Sequence, residues 1–340
     1  MGFIIPFLII FLKDYFNDKV VDKKDVEKLS GFPIIGHVLH NNKPGNLVVS
    51  DYPKSSIAES FRSIRTNIQF LAKGKEKQTI MVTSDMVSAG KTFISMNLAT
   101  IFAMNGKKTI LMGFDLRKPK IYQDFGLTNT EGISSVLINK NTLEEAIQIS
   151  PVENLDVIMA GPIPPNPSEL IASEKTMELF DRLKEMYDYI VIDSPPLGLV
   201  TDAFLLMKHS DNNLFVVRQG HTNKKVFGSI IKDIESRELP GISILINDVK
   251  LGRTSYGYGY GYGYGYGYGY GYGYGYGYGY YSDDRDREKK SVVKRILKGY
   301  DGGKTNFGVI SQRPSCSPSH RLPLSLSPPL IVSFLSLIHI

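Results

Sequence analysis

Short apolar runs and longer amphipathic stretches alternate along residues 53–250 of this chain. The runs are rich in β-branched residues and occupy residues 79–83, 109–112, 155–159, 190–192, 214–217 and 242–246. The stretches between them repeat apolar residues at helical spacing, over residues 58–71, 91–105, 142–149, 167–186 and 225–237. Continuous apolar strands that alternate with helices predict an α/β fold, a doubly wound parallel sheet with both faces covered. Ligands of such domains bind at the carboxyl ends of the strands.

The composition argues against several other classes of protein. The 340 residues carry 40 Lys and Arg against 34 Asp and Glu, and a net charge of +6 is too small to indicate nucleic-acid binding unless it is clustered. We therefore predict no nucleic-acid partner. The single cysteine, Cys316, cannot form an intramolecular disulfide and fits a reducing compartment. His37 and His40 stand three residues apart without further ligands, so we expect no zinc site.

A phosphate site is predicted where the first strand of the domain turns into a helix. After residues 79–83 the chain continues Ser-Asp-Met-Val-Ser-Ala, and Gly90-Lys91-Thr92 opens the helix. In a P-loop the glycine admits the phosphates, the lysine neutralises their charge and the hydroxyl binds Mg²⁺. Asp85 replaces the usual first glycine, so this is a deviant Walker A sequence. We predict ATP and Mg²⁺ as ligands, and the residues that hold them are Ser88, Ala89, Gly90, Lys91, Thr92 and Phe93. The alternative is a Gly-Lys-Thr tripeptide that begins a helix by chance.

Two further strands lead into acidic residues, Asp115 and Asp193. Because the carboxyl ends of parallel strands meet at one edge of a sheet, both carboxylates should face the same crevice as Lys91. A metal–phosphate centre needs oxygen ligands of this kind. We predict Lys91, Asp115 and Asp193 as catalytic residues, and Thr92, Asp115 and Asp193 as metal ligands. In the alternative interpretation each acid is a helix N-cap or a loop residue.

Glycine and tyrosine alternate between Tyr256 and Tyr281, a segment that contains 14 of the 20 tyrosines. Glycine at every second position excludes a helix interior, and a uniform repeat specifies no strand register. We predict a flexible tail over residues 251–281. A sticky Gly-aromatic segment of low complexity is the alternative. The candidate phosphoacceptors are Tyr256, Tyr258, Tyr260, Tyr262, Tyr264, Tyr266, Tyr268, Tyr270, Tyr272, Tyr274, Tyr276, Tyr278, Tyr280 and Tyr281.

Four other segments flank the predicted domain. Residues 1–13 are apolar, but a membrane-spanning helix needs about 20 such residues. Residues 1–13 are interpreted as an interfacial or buried segment or as the end of a longer helix. Residues 14–52 are interpreted as a linker. Residues 282–300 turn basic. Residues 301–340 are interpreted as a doubtful, non-native tail, because their last six residues look like translated adapter DNA.

Over roughly residues 1–300 the chain resembles the cytoplasmic part of a bacterial tyrosine kinase of the polysaccharide co-polymerase type. The resemblance rests on several motifs in combination. They are the deviant Walker A at Gly90, Lys91 and Thr92; a Walker A′ strand with Asp115 and Arg117; a Walker B strand with Asp193 and Pro196; the 161–170 segment; Glu59-x-x-Arg62-x-x-Arg65; and the tyrosine-rich tail.

The resemblance implies an ATP-dependent autokinase that phosphorylates tail tyrosines in trans and regulates capsular or exopolysaccharide polymerisation and export. Residues 1–13 would be the remnant of a transmembrane helix, which places the protein at the cytoplasmic face of the inner membrane. Glu59, Arg62 and Arg65 would assemble copies of the chain into a ring, although residues at this spacing also form solvated salt-bridge rows. Further implied partners are the polysaccharide export machinery, a tyrosine phosphatase and the inner membrane.

One position departs from the family's pattern. The family's Walker A′ carries two acids flanking one residue, and the first, which is taken to activate the tyrosine hydroxyl, is Gly113 here. The acceptor of the tyrosine proton is therefore unassigned. Gly113 favours one alternative, a nucleotide-binding assembly scaffold without kinase activity. A second alternative is a partitioning or cell-division-site ATPase, but such proteins carry an extra lysine early in the loop, and none lies between Ser84 and Gly90.

Overall fold

The computed structural model describes residues 17–72, 74–119, 125–199, 201–237, 239 and 241–250. The apolar segment 1–13, the Gly-Tyr tail with all its candidate phosphoacceptors, the basic segment 282–300 and residues 301–340 lie outside the described residues. Among the helices of the described ranges, none combines the length and the apolar character needed to cross a bilayer.

One sheet of eight strands runs through the described part of the chain, in the spatial order β1-β8-β7-β2-β6-β3-β5-β4. Neighbouring strands are parallel throughout, except that β4 pairs antiparallel with β5. The predicted doubly wound parallel sheet is confirmed, with one antiparallel edge strand added. The strands are β1 (Ile34–Leu39), β2 (Gln78–Ser84), β3 (Thr109–Gly113), β4 (Ile147–Ile149), β5 (Leu155–Ile158), β6 (Tyr189–Asp193), β7 (Asn212–Arg218) and β8 (Ile242–Val249).

Helices connect the strands and cover both faces of the sheet. Four of them begin at side-chain caps; Ser55, for example, accepts from the Ala58 amide, and Asn223 accepts from the amides of Lys225 and Val226. The helices are α1 (Lys23–Leu29), α2 (Val48–Asp51), α3 (Ser56–Leu71), α4 (Lys91–Ala103), α5 (Ile133–Leu137), α6 (Leu143–Ala146), α7 (Pro167–Ile171), α8 (Glu174–Met186), α9 (Asp202–Met207) and α10 (Lys224–Ser236).

Two predicted helices differ from the structure. The stretch 142–149 is helical only as far as Ala146, because the next three residues form β4 against β5. A short amphipathic segment fits both the helical and the strand periodicity of apolar residues. Here the free edge of β5 decides for a strand, because residues 147–149 pair with it. The stretch 167–186 is two helices, α7 and α8, because the chain leaves helical geometry between them: Ala172 is the C-cap of α7, and Ser173, with an extended backbone, is the N-cap of α8.

The segment 14–52, predicted to be a linker, contributes a strand to the sheet. β1 pairs in parallel with β8 and packs against α3. The contact is close: a Cβ at Gly36 would lie 2.7 Å from Cγ1 of Ile64. A glycine therefore lets the strand approach the helix, although it also interrupts the apolar run that would have indicated a strand.

The core consists of two apolar layers, one on each face of the sheet. Successive residues of β2 alternate between them: Ile80 and Val82 belong to the layer that includes α3 and α4, whereas Met81 belongs to the layer that includes α8, α9 and α10. All seven residues of β2 are buried. This strand lies at the centre of the sheet, between β6 and β7, so the loop that follows it emerges among the carboxyl ends of several strands.

Candidate active site

The loop after β2 joins α4 through a glycine in a left-handed conformation. Gly90 has φ = 94°, and a Cβ added there would lie 2.1 Å from Nδ2 of Asn247. No side chain caps α4, so the amides of its first turn are left for another acceptor. A helix N-terminus with free amides and a positive dipole end is suited to bind phosphate oxygens. The predicted phosphate site is therefore built as a P-loop is.

Lys91 begins α4 and turns its side chain back toward β2. Its side chain is almost fully buried, and Nζ donates a hydrogen bond of 3.3 Å to Oγ of Ser84, the last residue of β2. A buried ammonium is unfavourable unless negative charge is near, and Asp193 supplies some of that charge. Sequence analysis did not single out Ser84, since a serine at the end of a strand carries no distinctive signal.

Two hydroxyl groups of α4 hold the carboxylate of Asp193. Thr92 Oγ1 donates to Oδ2 at 2.8 Å, and Ser95 Oγ donates to Oδ1 at 3.2 Å. Thr92 and Ser95 are three residues apart and therefore lie on one face of the helix. Sequence analysis predicted Thr92 and missed Ser95, which helical spacing from Lys91 and Thr92 would have found.

The pKa of Asp193 is strongly perturbed. Its pKa is raised to about 6, because burial and, to a smaller extent, the nearby carboxylate of Asp115 outweigh the opposite effects of Lys91 and of the hydroxyls of Thr92 and Ser95. The contacts with Lys91, Thr92 and Ser95 therefore offset only part of the cost of burying the charged carboxylate. A cation bound beside this carboxylate would favour its ionised form.

Asp115 stands two residues past β3 and serves its own loop. Its Oδ1 accepts the backbone N–H groups of Arg117 at 3.2 Å and Lys118 at 3.0 Å. This is the loop-capping role foreseen in the alternative interpretation, yet its charge also acts on Asp193. Gly113 is the register partner of Asp193 across β3 and β6. An acidic side chain at 113 would thus stand beside Asp193 on the same face of the sheet.

The side chains around Lys91 fit Mg²⁺, which needs few protein ligands, better than a metal ion that is coordinated by protein side chains alone. In the ranges that the structure describes, no group of three or more His, Cys, Asp or Glu residues could hold an ion. Mg²⁺ is usually bound by one or two protein oxygens together with phosphate oxygens and water. The adjacent oxygens of Thr92 and Asp193 provide such a partial site next to the N-terminus of α4.

A second polar cluster supports the loop after β3. The guanidinium of Arg117 forms a bidentate ion pair with the carboxylate of Asp202: Nε donates to Oδ2 at 2.7 Å, and Nη2 donates to Oδ1 at 3.2 Å. Ser168, from the 161–170 segment, donates to the same carboxylate at 2.5 Å and accepts from Arg117 at 3.1 Å. Burial raises the pKa of Asp202, but its bonds to Arg117 and Ser168 outweigh burial and hold it below the ordinary value. Sequence analysis missed Asp202.

Proteins with related sequences share this architecture. A family model described as an AAA domain matches residues 77–239. CapB of Staphylococcus aureus is 44% identical over 178 residues, which are 52% of this chain and 78% of CapB. The tyrosine-protein kinase YwqD of Bacillus subtilis is 38% identical over 213 residues, which are 62% of this chain and 90% of YwqD. The chain belongs to the bacterial tyrosine-protein kinases.

A solved structure agrees with this assignment. The crystal structure of the chimerical protein CapA2B2 is 39% identical and covers 68% of this kinase and all of the solved chain, with a TM-score of 0.64. The predicted P-loop fold and the predicted kinase activity are confirmed. The fold implies that the kinase binds ATP. The relatives CapB and YwqD are tyrosine-protein kinases, so they do not support the alternative of a partitioning or cell-division-site ATPase.

The remaining predicted residues of the kinase lie at or near the same loop. Ser88 is exposed and Ala89 is buried, both within the turn that precedes Gly90. The ring of Phe93 packs edge-on against Phe61 of α3, with ring centroids 6.0 Å apart. The backbone amide of Phe93 belongs to the first turn of α4.

The predicted assembly residues lie apart from this site, along α3. Arg62 Nη1 and Glu59 Oε2 form an ion pair of 2.8 Å, and Arg62 also donates to the carbonyl of Pro53. Arg65 has a buried Nε without a hydrogen-bond partner in the described residues. The alternative interpretation, a salt bridge within one helix, thus accounts for Glu59 and Arg62 but not for Arg65.

Proposed function

We propose that this kinase transfers the γ-phosphoryl group of Mg·ATP to tyrosines of its own Gly-Tyr tail, in trans between copies of the chain. The observation that carries the proposal is the contact of Thr92 with Asp193, beside buried Lys91 at the uncapped start of α4. The tail is joined to the domain at the same edge. Lys250, the last described residue, directly follows β8. Asn247 of β8 donates a hydrogen bond to the carbonyl of Ala89 in the loop.

The proposed roles follow from the contacts of each group. The uncapped amides of α4 and the ammonium of Lys91 would hold the β- and γ-phosphates, and Thr92, Asp193 and Asp115 would hold or orient Mg²⁺. Bound Mg²⁺ would neutralise phosphate charge. In the reaction the bond from the γ-phosphorus to the bridging oxygen of ADP breaks, a bond to the tyrosine oxygen forms, and the phenolic proton is released to solvent, since no protein group is assigned to accept it. With Gly113 in place of an acid, catalysis relies on positioning and charge stabilisation.

The cellular setting is proposed from the family resemblance. Copies would assemble into a ring through Glu59, Arg62 and Arg65, which lie along α3. The kinase would act at the cytoplasmic face of the inner membrane and regulate capsular or exopolysaccharide polymerisation and export. Its partners would then include the export machinery and a tyrosine phosphatase that reverses the reaction.

Incubation with ATP and Mg²⁺, followed by an anti-phosphotyrosine blot, tests the proposed activity. The wild-type chain should give a signal that Lys91→Met abolishes and that Lys140→Met, which changes an exposed lysine away from the loop, leaves unchanged. Calorimetry with Mg·ATP completes the test. Binding without any phosphotyrosine signal would support the scaffold alternative, whereas absence of binding would overturn the nucleotide site itself.

A further inference from the structure

The carbonyl groups of the P-loop are held from outside the loop by β7, β8 and the turn after β7. Arg218 Nη1 donates to the Ser88 carbonyl at 2.7 Å, and Asn247 Nδ2 donates to the Ala89 carbonyl at 2.9 Å. Nε2 of His221 lies 3.2 Å from the carbonyl of Val87. Three successive carbonyls of the loop are thus bound by side chains that lie at least 130 residues further along the chain.

These contacts determine where the loop amides point. In a trans peptide unit the carbonyl of one residue and the N–H of the next point in opposite directions. Because the carbonyls of residues 87–89 face β7 and β8, the N–H groups of residues 88–90 face the other way. In the described residues these three N–H groups have no hydrogen-bond partner. They are therefore aligned and available to an anion.

One residue of this loop is held in an unfavourable conformation. Ser88 has φ = 65°, a left-handed geometry that residues other than glycine seldom adopt. The bond from Arg218 acts directly on the carbonyl of this residue. Without an external contact, a serine would be expected to return to negative φ, and the peptide unit between Ser88 and Ala89 would rotate with it.

Arg218 is itself fixed by a short chain of polar contacts. Its Nε donates to Oδ2 of Asp248 at 3.0 Å, and Nδ1 of His40 contacts the other carboxylate oxygen. The side chain of Asp248 is 13% exposed. Burial raises the pKa of Asp248, but the bonds from His40 and Arg218 outweigh burial and hold it below the ordinary value, so the carboxylate is a charged anchor.

We infer that Arg218 is a positioning residue of the kinase: it holds Ser88 in the left-handed conformation and so presents the amides of residues 88–90 to the phosphates of ATP. The inference rests on the proposed nucleotide site. It assigns to Arg218 an effect on the shape of the loop and not a direct contact with the nucleotide. Asp248 acts one step further away by orienting the guanidinium.

The test measures Mg·ATP affinity by calorimetry in wild type and variants, with thermal unfolding as a check on folding. Arg218→Met should weaken affinity about tenfold, the loss of roughly one charge-assisted hydrogen bond, and D248N should weaken it less. Arg237→Met, which removes an arginine paired with Asp233 on α10 at 3.1 Å, is the matched control and should bind as wild type does.

A second substitution separates loop shape from charge. Glycine adopts positive φ without steric cost, so adding Ser88→Gly to the Arg218→Met protein should recover about threefold or more of the lost affinity. Ser88→Ala removes the same hydroxyl but keeps the unfavourable geometry, and it should recover none. Equal affinities of Arg218→Met and wild type for Mg·ATP would overturn the inference. It would also be overturned if the double variant, Ser88→Gly with Arg218→Met, bound Mg·ATP no more tightly than Arg218→Met alone. Failure of the wild type to bind would instead refute the proposed nucleotide site.

Discussion

Thr92 Oγ1 donates a hydrogen bond of 2.8 Å to Oδ2 of Asp193, a residue 101 positions further along the chain. The contact joins the first turn of α4 to the end of β6. It pairs the hydroxyl and the carboxylate that a P-loop enzyme uses around Mg²⁺. The two motifs are thus preorganised by the fold itself.

Thr92→Val removes this hydroxyl at nearly constant volume. We expect Mg²⁺ to lose most of its effect on nucleotide affinity, about tenfold, because the partial metal site keeps only the carboxylate. Affinity for ADP measured in EDTA should change little, since the loop amides and Lys91 remain. Calorimetry with and without Mg²⁺ checks this, and Thr92→Ser, which restores the hydroxyl, should behave as wild type. A Thr92→Val protein with full Mg²⁺ dependence would contradict the assignment.

The raised pKa of Asp193 predicts a pH dependence of stability. Its pKa is about 6 in the folded protein against an ordinary value of 3.8, so the folded state binds more protons than the unfolded state between these values. The contribution to the unfolding free energy is therefore greatest below pH 4 and falls as the pH rises toward 6. Relative to Asp193→Asn, the unliganded wild type should lose on the order of 3 kcal/mol over this range. Urea unfolding with Mg²⁺ removed measures the difference, and parallel pH curves for the two proteins would refute it.

Gly90→Ala should disrupt the loop for two reasons that a control can separate. The added Cβ meets Nδ2 of Asn247, and alanine at φ = 94° is unfavourable in its own right. Gly106 lies just past the other end of α4 at φ = 76° with open space around it, so Gly106→Ala carries only the backbone penalty. We expect a loss of about 1 kcal/mol for Gly106→Ala and of roughly 2–4 kcal/mol for Gly90→Ala. Chemical denaturation gives both numbers, and equal losses would mean that the contact with Asn247 is easily relieved.

Phosphorylation of the tail should change the assembly state of the kinase. Each phosphotyrosine adds about −1.5 to −2 charges, so 14 of them would contribute roughly −20 to −28 against a chain charge of +6. Repulsion between tails should then favour smaller oligomers. Native mass spectrometry of phosphorylated and phosphatase-treated protein compares the two states at equal concentration. An identical distribution of oligomers in both samples would rule out this role for the tail.

Assembly through α3 can be tested at Arg65, whose buried Nε lacks a partner in the described residues. Arg65→Ala should shift the wild-type oligomers toward monomers in sedimentation experiments, because it removes one of the three side chains through which the copies are proposed to assemble. Arg182→Ala, which removes an arginine paired with Glu144, is the control and should leave the distribution unchanged. Equal distributions for wild type and Arg65→Ala would argue against this contact.

The sequence alone determined six of the eight described strands, the P-loop and the two acids at strand ends, because each depends on a local pattern. Apolar runs mark β2, β3 and β6, and Gly90-Lys91-Thr92 marks the start of α4 within three residues. The carboxyl ends of parallel strands then bring Lys91 and Asp193 together without any further information.

Only the tertiary structure decided how that site is held in shape. Arg218 and Asn247 bind P-loop carbonyls across 130 and 158 residues, and β1 enters the sheet from a segment whose apolar run is broken by Gly36. No local periodicity records such contacts, because an arginine or asparagine at a strand end is ordinary in any α/β domain. Their partners are chosen by the strand order, which places β7 and β8 beside the loop after β2.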